Sequence, residues 1–428
     1  MGAFSHIYVD PAIAADSGEG NQPLNITFVN ASYDHTGNGE GERHLSLTAA
    51  FASYTFTAGD LFFLQNAVGG VADGLYEVAS RVDDDAILLA ADAGLTADST
   101  SDVDSGSPFG DVEYAVEQTT FDTTNGTQVN IKAGTDEVLA AELSVAMANT
   151  GTTAAWAPTE AAPCVFRGYT TKIDDGGIGG LSGGGSVSVY NDATFDYVSF
   201  IDLHCHNTGS NRIFGFDNHC AVINCELDNT TSLGIDADSN FILNNSYIHN
   251  CGSVGVQCNS GSIRHNFFEN GVNDFIAAIV GVSTVPMFIA NNIIKIDGAS
   301  DGISLLDGAC CVNNSVWSNA GTGQGIQVTG ERTGITVANN IVEGFSGTGG
   351  EGFNFGVTGG RLTWFDGNAA FNNATNYDNP QDKTIFGLSD NEVLSASAFT
   401  DAANGDFNPV AGGNVKEGSL PSEFGMGQ

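Results

Sequence analysis

Between Cys220 and Gly360 one pattern of apolar and polar positions keeps returning. It reads CAVINCELDN from 220, FILNNSYIHN from 241, SIRHNFFENG from 262, PMFIANNIIK from 286, CVNNSVWSNA from 311 and ITVANNIVEG from 335. Each unit is a short apolar run, one or two asparagines, a few more apolar residues, and a polar or glycine-containing turn. Taking the last asparagine of each unit (Asn224, Asn245, Asn266, Asn292, Asn314 and Asn340), the steps are 21, 21, 26, 22 and 26 residues. Apolar runs this short and this rich in β-branched residues predict strands, not helices. Leucine is too scarce at fixed places for a leucine-rich repeat. A period of roughly 20 to 30 residues made of strands and turns predicts a solenoid. The expected fold is therefore all-β, a parallel β-helix with two or three short strands per rung and like side chains stacked about 4.8 Å apart. The six asparagines are expected to form one structural ladder at a corner. Asparagine tolerates left-handed backbone, and its amide can bond to the residues above and below.

On these units the sequence resembles the right-handed parallel β-helix (pectate-lyase-like) superfamily, over roughly residues 160 to 375, and most of all its phage and virus appendage proteins of tailspike or decoration type. The resemblance implies a fold and leaves the activity open. A first strand, HIYVD, and a loop, PAIAADSGEG, precede an expected capping helix in SPFGDVEYAVEQ, where Val112, Ala115 and Val116 recur at helical spacing. The stretch between has its own strand signals, LNITFVNASY, HLSLTAAF, DLFFLQNAV, GLYEVASRV and AILLAADAG, which predict an inserted small β-barrel or sandwich. Its run from Gly59 to Ala93 resembles small β-modules of phage virion proteins. The tail, LSASAFTDAANGDFNPVAGGN, resembles the segment that closes many β-helix proteins. The expected division is a strand and loop over 1–21, the insertion over 22–106, the capping helix and first rung strands over 107–160, the coil over 161–380 and a closing segment over 381–428.

Charge narrows the partners. Against 51 Asp and Glu stand 12 Lys and Arg, a formal net charge of -39. Such a surface repels nucleic acid and anionic membranes, so neither nucleic-acid binding nor membrane insertion is expected. The start, MGAFSHIYVDP, lacks the basic and apolar regions of a signal peptide. Release by lysis, as for a virion protein made in a host cytoplasm, is the expected route outside, with an extracellular location as the alternative. The eight cysteines lie within the coil and read as small apolar core residues. Pairing of Cys225 with Cys251, or of Cys251 with Cys258, is left open. His204 and His206 face one side of a strand while Cys205 faces the other, so no metal is expected from this segment. No cofactor is expected, calcium being the one left open.

Candidate chemistry lies on the second strand of each unit, in FGFDNH, GIDADS, GVQCNS, DGISLLDG, GIQVTG and GFNFGV. If apolar residues point inward, Asp217, Asp236, Asp238, Gln257, Asn259, Ser304, Asp307, Gln327 and Asn354 point outward. Gln257, Asn259, Ser304, Asp307, Gln327 and Asn354 are the candidate carbohydrate-binding residues. Asp217, Asp236 and Asp238 are candidate catalytic carboxyls, spaced about 4.8 to 6.6 Å by strand geometry, within reach of glycoside hydrolysis. A lyase would need clustered cations for a uronate, and the basic residues fall on separate units. The leading expectation is a virion structural or appendage protein, a homotrimer in contact with other virion proteins and with cell-surface polysaccharide. This reading leans against an enzyme. A glycoside hydrolase or depolymerase is the alternative, and a non-catalytic glycan-binding adhesin the third reading.

Overall fold

In the computed structural model the described residues are 5–12, 31–34, 44–46, 58, 61–65, 74–83, 86–89, 99–105, 110–118, 122, 124–143, 158–170, 175–192, 194–269, 277–281, 287–296, 298–306, 308–328, 334–355, 363–378, 385–386 and 391–410. Packing divides the chain into two units, Met1–Glu137 with Val145–Gly180 and Val138–Ser144 with Leu181–Gln428.

In the first unit, Ser5–Val9 and Cys164–Tyr169 flank Thr127–Lys132 as parallel strands. Asn130 donates its amide to the Ile7 carbonyl at 2.9 Å, and Lys132 pairs with Asp10 at 2.7 Å, which fixes their register. The insertion is a closed barrel of six strands, Ala31–Asp34, His44–Ser46, Leu61–Gln65, Gly74–Arg81, Ala86–Leu89 and Ser99–Ser105. Closure leaves no open sheet edge to recruit another chain. One seven-residue helix, Val112–Gln118, buries Val112, Ala115 and Val116 and contacts the Ser5–Val9 strand. A cap over the end of the coil, expected from this segment, is not seen among the described residues.

The second unit is a parallel β-helix of three sheets. Sheet one runs from Val198–Ile201 through Ala221–Ile223, Phe241–Asn244, Gly261–Arg264, Met287–Ala290, Cys310–Val312, Ile335–Ala338 and Thr363–Asp366 to Ile385–Phe386. Sheet two runs from Leu203–Gly209 through Glu226–Thr230, Tyr247–His249, Phe267–Glu269, Ile293–Ile296, Ser315–Ser318, Ile341–Glu343 and Ala369–Phe371 to Glu392–Val393. Sheet three runs from Tyr190–Asp192 through Phe214–Phe216, Ile235–Ala237, Val254–Cys258, Ala277–Gly281, Asp301–Leu305, Gln324–Val328 and Glu351–Asn354 to Thr375–Asp378. Each strand pairs with its equivalent one rung on, so residues stack by register. Phe200, Val222, Leu243, Ile263, Ile289, Cys311, Val337 and Phe365 form one buried column of sheet one. Leu227, Ile248, Phe268, Ile294, Val316, Val342 and Ala370 form its counterpart in sheet two.

The turn from sheet one to sheet two takes one residue in the left-handed region on every rung: Asp202, Asn224, Asn245, His265, Asn291, Asn313, Asn339 and Gly367, with φ between 52° and 64°. Most L-residues lose about 1–2 kcal/mol there, while Asn, Asp, His and Gly are tolerated best. The next residue turns inward and is buried. Asn266, Asn292, Asn314, Asn340 and Asn368 each donate side-chain N–H to the Oδ1 of the asparagine one rung on, at 2.9–3.0 Å. That same Oδ1 also accepts the backbone N–H of the preceding asparagine. The six asparagines of the sequence pattern therefore do not make one column. Asn224 and Asn245 hold the left-handed corner, and Cys225 and Ser246 take the inward place after them. The physical reason is that the corner and the ladder are adjacent positions, and only the later rungs put asparagine, or asparagine after histidine, on both.

The eight cysteines are free thiols, seven of them buried. Cys225 lies in hydrogen-bonding range of the Phe200 and Ile223 carbonyls, and burial pushes its thiol up to about 12. Neither cysteine pairing left open by the sequence is formed.

Replacing Asn314 by Ala removes the acceptor of both the Asn292 backbone N–H and its amide. It should lower unfolding free energy by about 2–4 kcal/mol in denaturant titrations. Asn291→Gly keeps the left-handed turn and should stay within about 1 kcal/mol of wild type. Equal costs at the two sites would count against the inner ladder as the stabilising element.

Candidate functional site

One row of sheet three is in register over its whole length. Asn191, Gly215, Asp236, Gln257, Val280, Ser304, Gln327, Asn354 and Asp378 follow one another rung by rung. Asp236 to Asn354 is five steps, about 24 Å at strand spacing. Gln257 donates to Asp236 at 3.3 Å, and Gln327 donates to Asp301, which lies on the neighbouring rung, at 2.7 Å. Asn354 donates to Glu351. Ser304 is buried and offers little surface, and Asp307 lies outside the described residues.

The three candidate carboxyls do not share one environment. Asp236 is held by the Arg212 guanidinium as well as by Gln257, and so has its charge already matched. Asp217 and Asp238 stand one residue beyond their strands, on the rungs that pair Phe216 with Ala237. Asn218 donates its amide to Asp217 at 2.7 Å, and Asn259 does the same to Asp238 at 2.7 Å. Loss of solvent, then the charges of Asp196 and Asp238, push the Asp217 carboxyl above its ordinary range. Asp301 and Glu351, further along the same sheet, are likewise raised, first by burial. Sheet three thus combines primary amides with carboxyls that hold their protons more strongly than free ones, a surface suited to neutral hydroxyl-rich ligands.

A second set of side chains, not singled out as a site in the sequence, covers the early rungs of sheet two. In one outward row His204, Glu226, Tyr247 and Phe267 succeed one another. In the other, His206 pairs with Asp228, and His249, Glu269 and Lys295 lie in register further on. Basic and acidic side chains alternate up this second row. His249 meets Glu226 at 3.0 Å, Lys295 donates to Glu269 at 2.7 Å and Tyr247 donates to Glu269 at 2.6 Å. Burial pushes Glu269 up, but the bonds from Lys295 and Tyr247 and the lysine charge leave it below its ordinary value. From Trp317 and Ile341 onward this face is apolar except for buried Glu343, and the C-terminal residues Leu394, Ala398, Phe399, Ala402 and Phe407 lie over it. The only signal for the ionic patch in the sequence is the polar residue either side of each central apolar one, as in His-Cys-His and Tyr-Ile-His.

No family profile and no curated protein matches this sequence. Among solved structures, it is similar to the pectate lyase Pel9A (14% identity, 74% of this chain and 84% of that one, TM-score 0.40). It is also similar to the catalytic unit of a thermostable GH87 α-1,3-glucanase from Streptomyces thermodiastaticus strain HF3-3 (11% identity, 87% and 85%, TM-score 0.35). A third likeness is XylC with xylose (10% identity, 89% and 86%, TM-score 0.34). The first two are polysaccharide-degrading enzymes by name. A likeness of phage-tailspike type is not shown. The parallel β-helix itself rests on the strand pairing described above.

Because Glu269 is held below its ordinary value, its contribution is present above the unfolded carboxylate range and fades as pH falls through its folded value. Glu269→Gln should therefore cost about 1 kcal/mol near neutral pH. The difference from wild type should vanish in melts taken well below pH 4, roughly the unfolded value.

Proposed function

We propose that the chain binds an extended neutral polysaccharide along sheet three and hydrolyses it with Asp217 and Asp238. The observation that carries this reading is the pairing of Phe216 with Ala237, which sets the two carboxyls on adjacent rungs, with Asp217 raised by lost solvent and by its acidic neighbours. A carboxyl raised in this way is the natural proton donor to the departing glycosidic oxygen, and Asp238 is its partner on the adjoining rung. Adjacent rungs lie about 4.8 Å apart, close to the roughly 5 Å separation of double-displacement glycosidases. Asp238 then attacks the anomeric carbon as its bond to the departing oxygen breaks, and water, losing its proton to Asp217, releases the sugar. Gln257, Asn259, Gln327 and Asn354 supply amide donors and acceptors for hydroxyls along the strip. Asp236, bound to Arg212, orients Gln257 and takes no part in proton transfer.

The virion-appendage reading, with its trimer and virion partners, draws on none of these groups, and no observation on the described surface favours it. Reducing-sugar release from a panel of neutral glucans, xylans and capsular polysaccharides tests the proposal. Asp217→Asn and Asp238→Asn should each lower turnover at least about 100-fold with unchanged melting, and Asp236→Asn should lower it much less. Glycan binding with no turnover in the wild type would leave a non-catalytic adhesin in its place.

A further inference from the structure

The early rungs of sheet two gather imidazoles around one carboxylate, on a face the glycan strip does not use. His204 and His206 leave the Leu203–Gly209 strand on the same side because fully buried Cys205 between them points inward. Their rings stack at 4.4 Å with 10° between planes, and their ligating nitrogens lie within 4.8 Å of each other. Asp228 sits opposite His206 in register on the next rung. One of its oxygens is 3.2 Å from His204 Nε2 and the other is 3.9 Å from His249 Nε2. His249 is oriented in turn by Glu226 at 3.0 Å and by the Asn250 amide, 2.9 Å from its Nδ1.

We propose that His204, His206 and Asp228 bind a divalent transition-metal ion of the zinc class. Two imidazoles and one carboxylate are the donor types such an ion selects, whereas calcium asks for six to eight oxygens. Ligands at about 2.0–2.1 Å from a tetrahedral ion stand roughly 3.3 Å from each other, close to the His204–Asp228 separation of 3.2 Å. His206, stacked on His204 and in register with Asp228, supplies the third donor. The fourth position falls to water, because both ring nitrogens of His249 are engaged, Nε2 by Glu226 and Nδ1 by the Asn250 amide. The ion ties the Leu203–Gly209 strand to the Glu226–Thr230 strand, so it acts on the stability of these rungs.

The test uses the full chain, stripped with chelator and held at about 0.15 M salt with excess calcium and magnesium to occupy the general acidic surface. Zinc titrated by calorimetry should bind at one ion per chain and raise the melting temperature, and cobalt(II) should show the absorption of a nitrogen-ligated tetrahedral site. His204→Ala, His206→Ala and Asp228→Asn should each weaken zinc at least about 10-fold, a loss that even outer-shell changes produce, while exposed His265→Ala leaves it unchanged. Zinc that fails to bind against calcium, or that binds the His204→Ala and His206→Ala chains as it binds wild type, would overturn the proposal. Neither result bears on sugar release by Asp217 and Asp238, which is scored separately.

Discussion

One residue held at positive φ on every rung lets this chain turn from its first sheet to its second without leaving the stack. Asp202, Asn224, Asn245, His265, Asn291, Asn313, Asn339 and Gly367 meet that demand in turn. Because each occupies a single position, the next residue points inward at the same height on every rung. From Asn266 onward that inward residue is asparagine, and its amide replaces the backbone partners that a tight corner strips away. A buried amide left half satisfied is costly, so the rungs are bound to one register. All three sheets inherit that alignment.

Alignment turns each face into a set of columns with separate chemistry. Sheet three carries amides and carboxyls in one row, from Asp236 to Asp378. Sheet two is ionic over its first rungs and apolar over its last. In a protein whose surface is acidic overall, the ionic rungs gather histidine and lysine against acid. Burial raises the carboxyls of sheet three and acts the same way on Glu269, which ends below its ordinary value because Lys295 and Tyr247 bond to it.

The repeat is legible because register and period coincide: Gln257, Gln327 and Asn354 share a row simply by following the same apolar residue in each unit. What escapes are features set by neighbours in space. Arg212 precedes its strand, so nothing near Asp236 in the sequence announces the ion pair. Asn224 and Asn245 resemble the ladder asparagines in every local respect except the Cys or Ser that follows them. Strand Ala277–Gly281 lacks the alternation of its equivalents, and Ser99–Ser105 in the barrel, STSDVDS, reads as a turn, so neither declares itself as a strand. Alternation around Cys205 places both histidines on one side, but not the aspartate that register sets against them.

The covering of sheet two by the C-terminal segment has a consequence for how the coil comes apart. Rungs that touch only their neighbours can fray one at a time from an end. Phe407 packs its ring on Phe267, while Ala398 donates its backbone N–H to buried Glu343 at 3.0 Å. These contacts span several rungs at once and join residues far apart along the chain. Residues 394–407 therefore act as a clasp: the rungs they cover are expected to open together once it lifts.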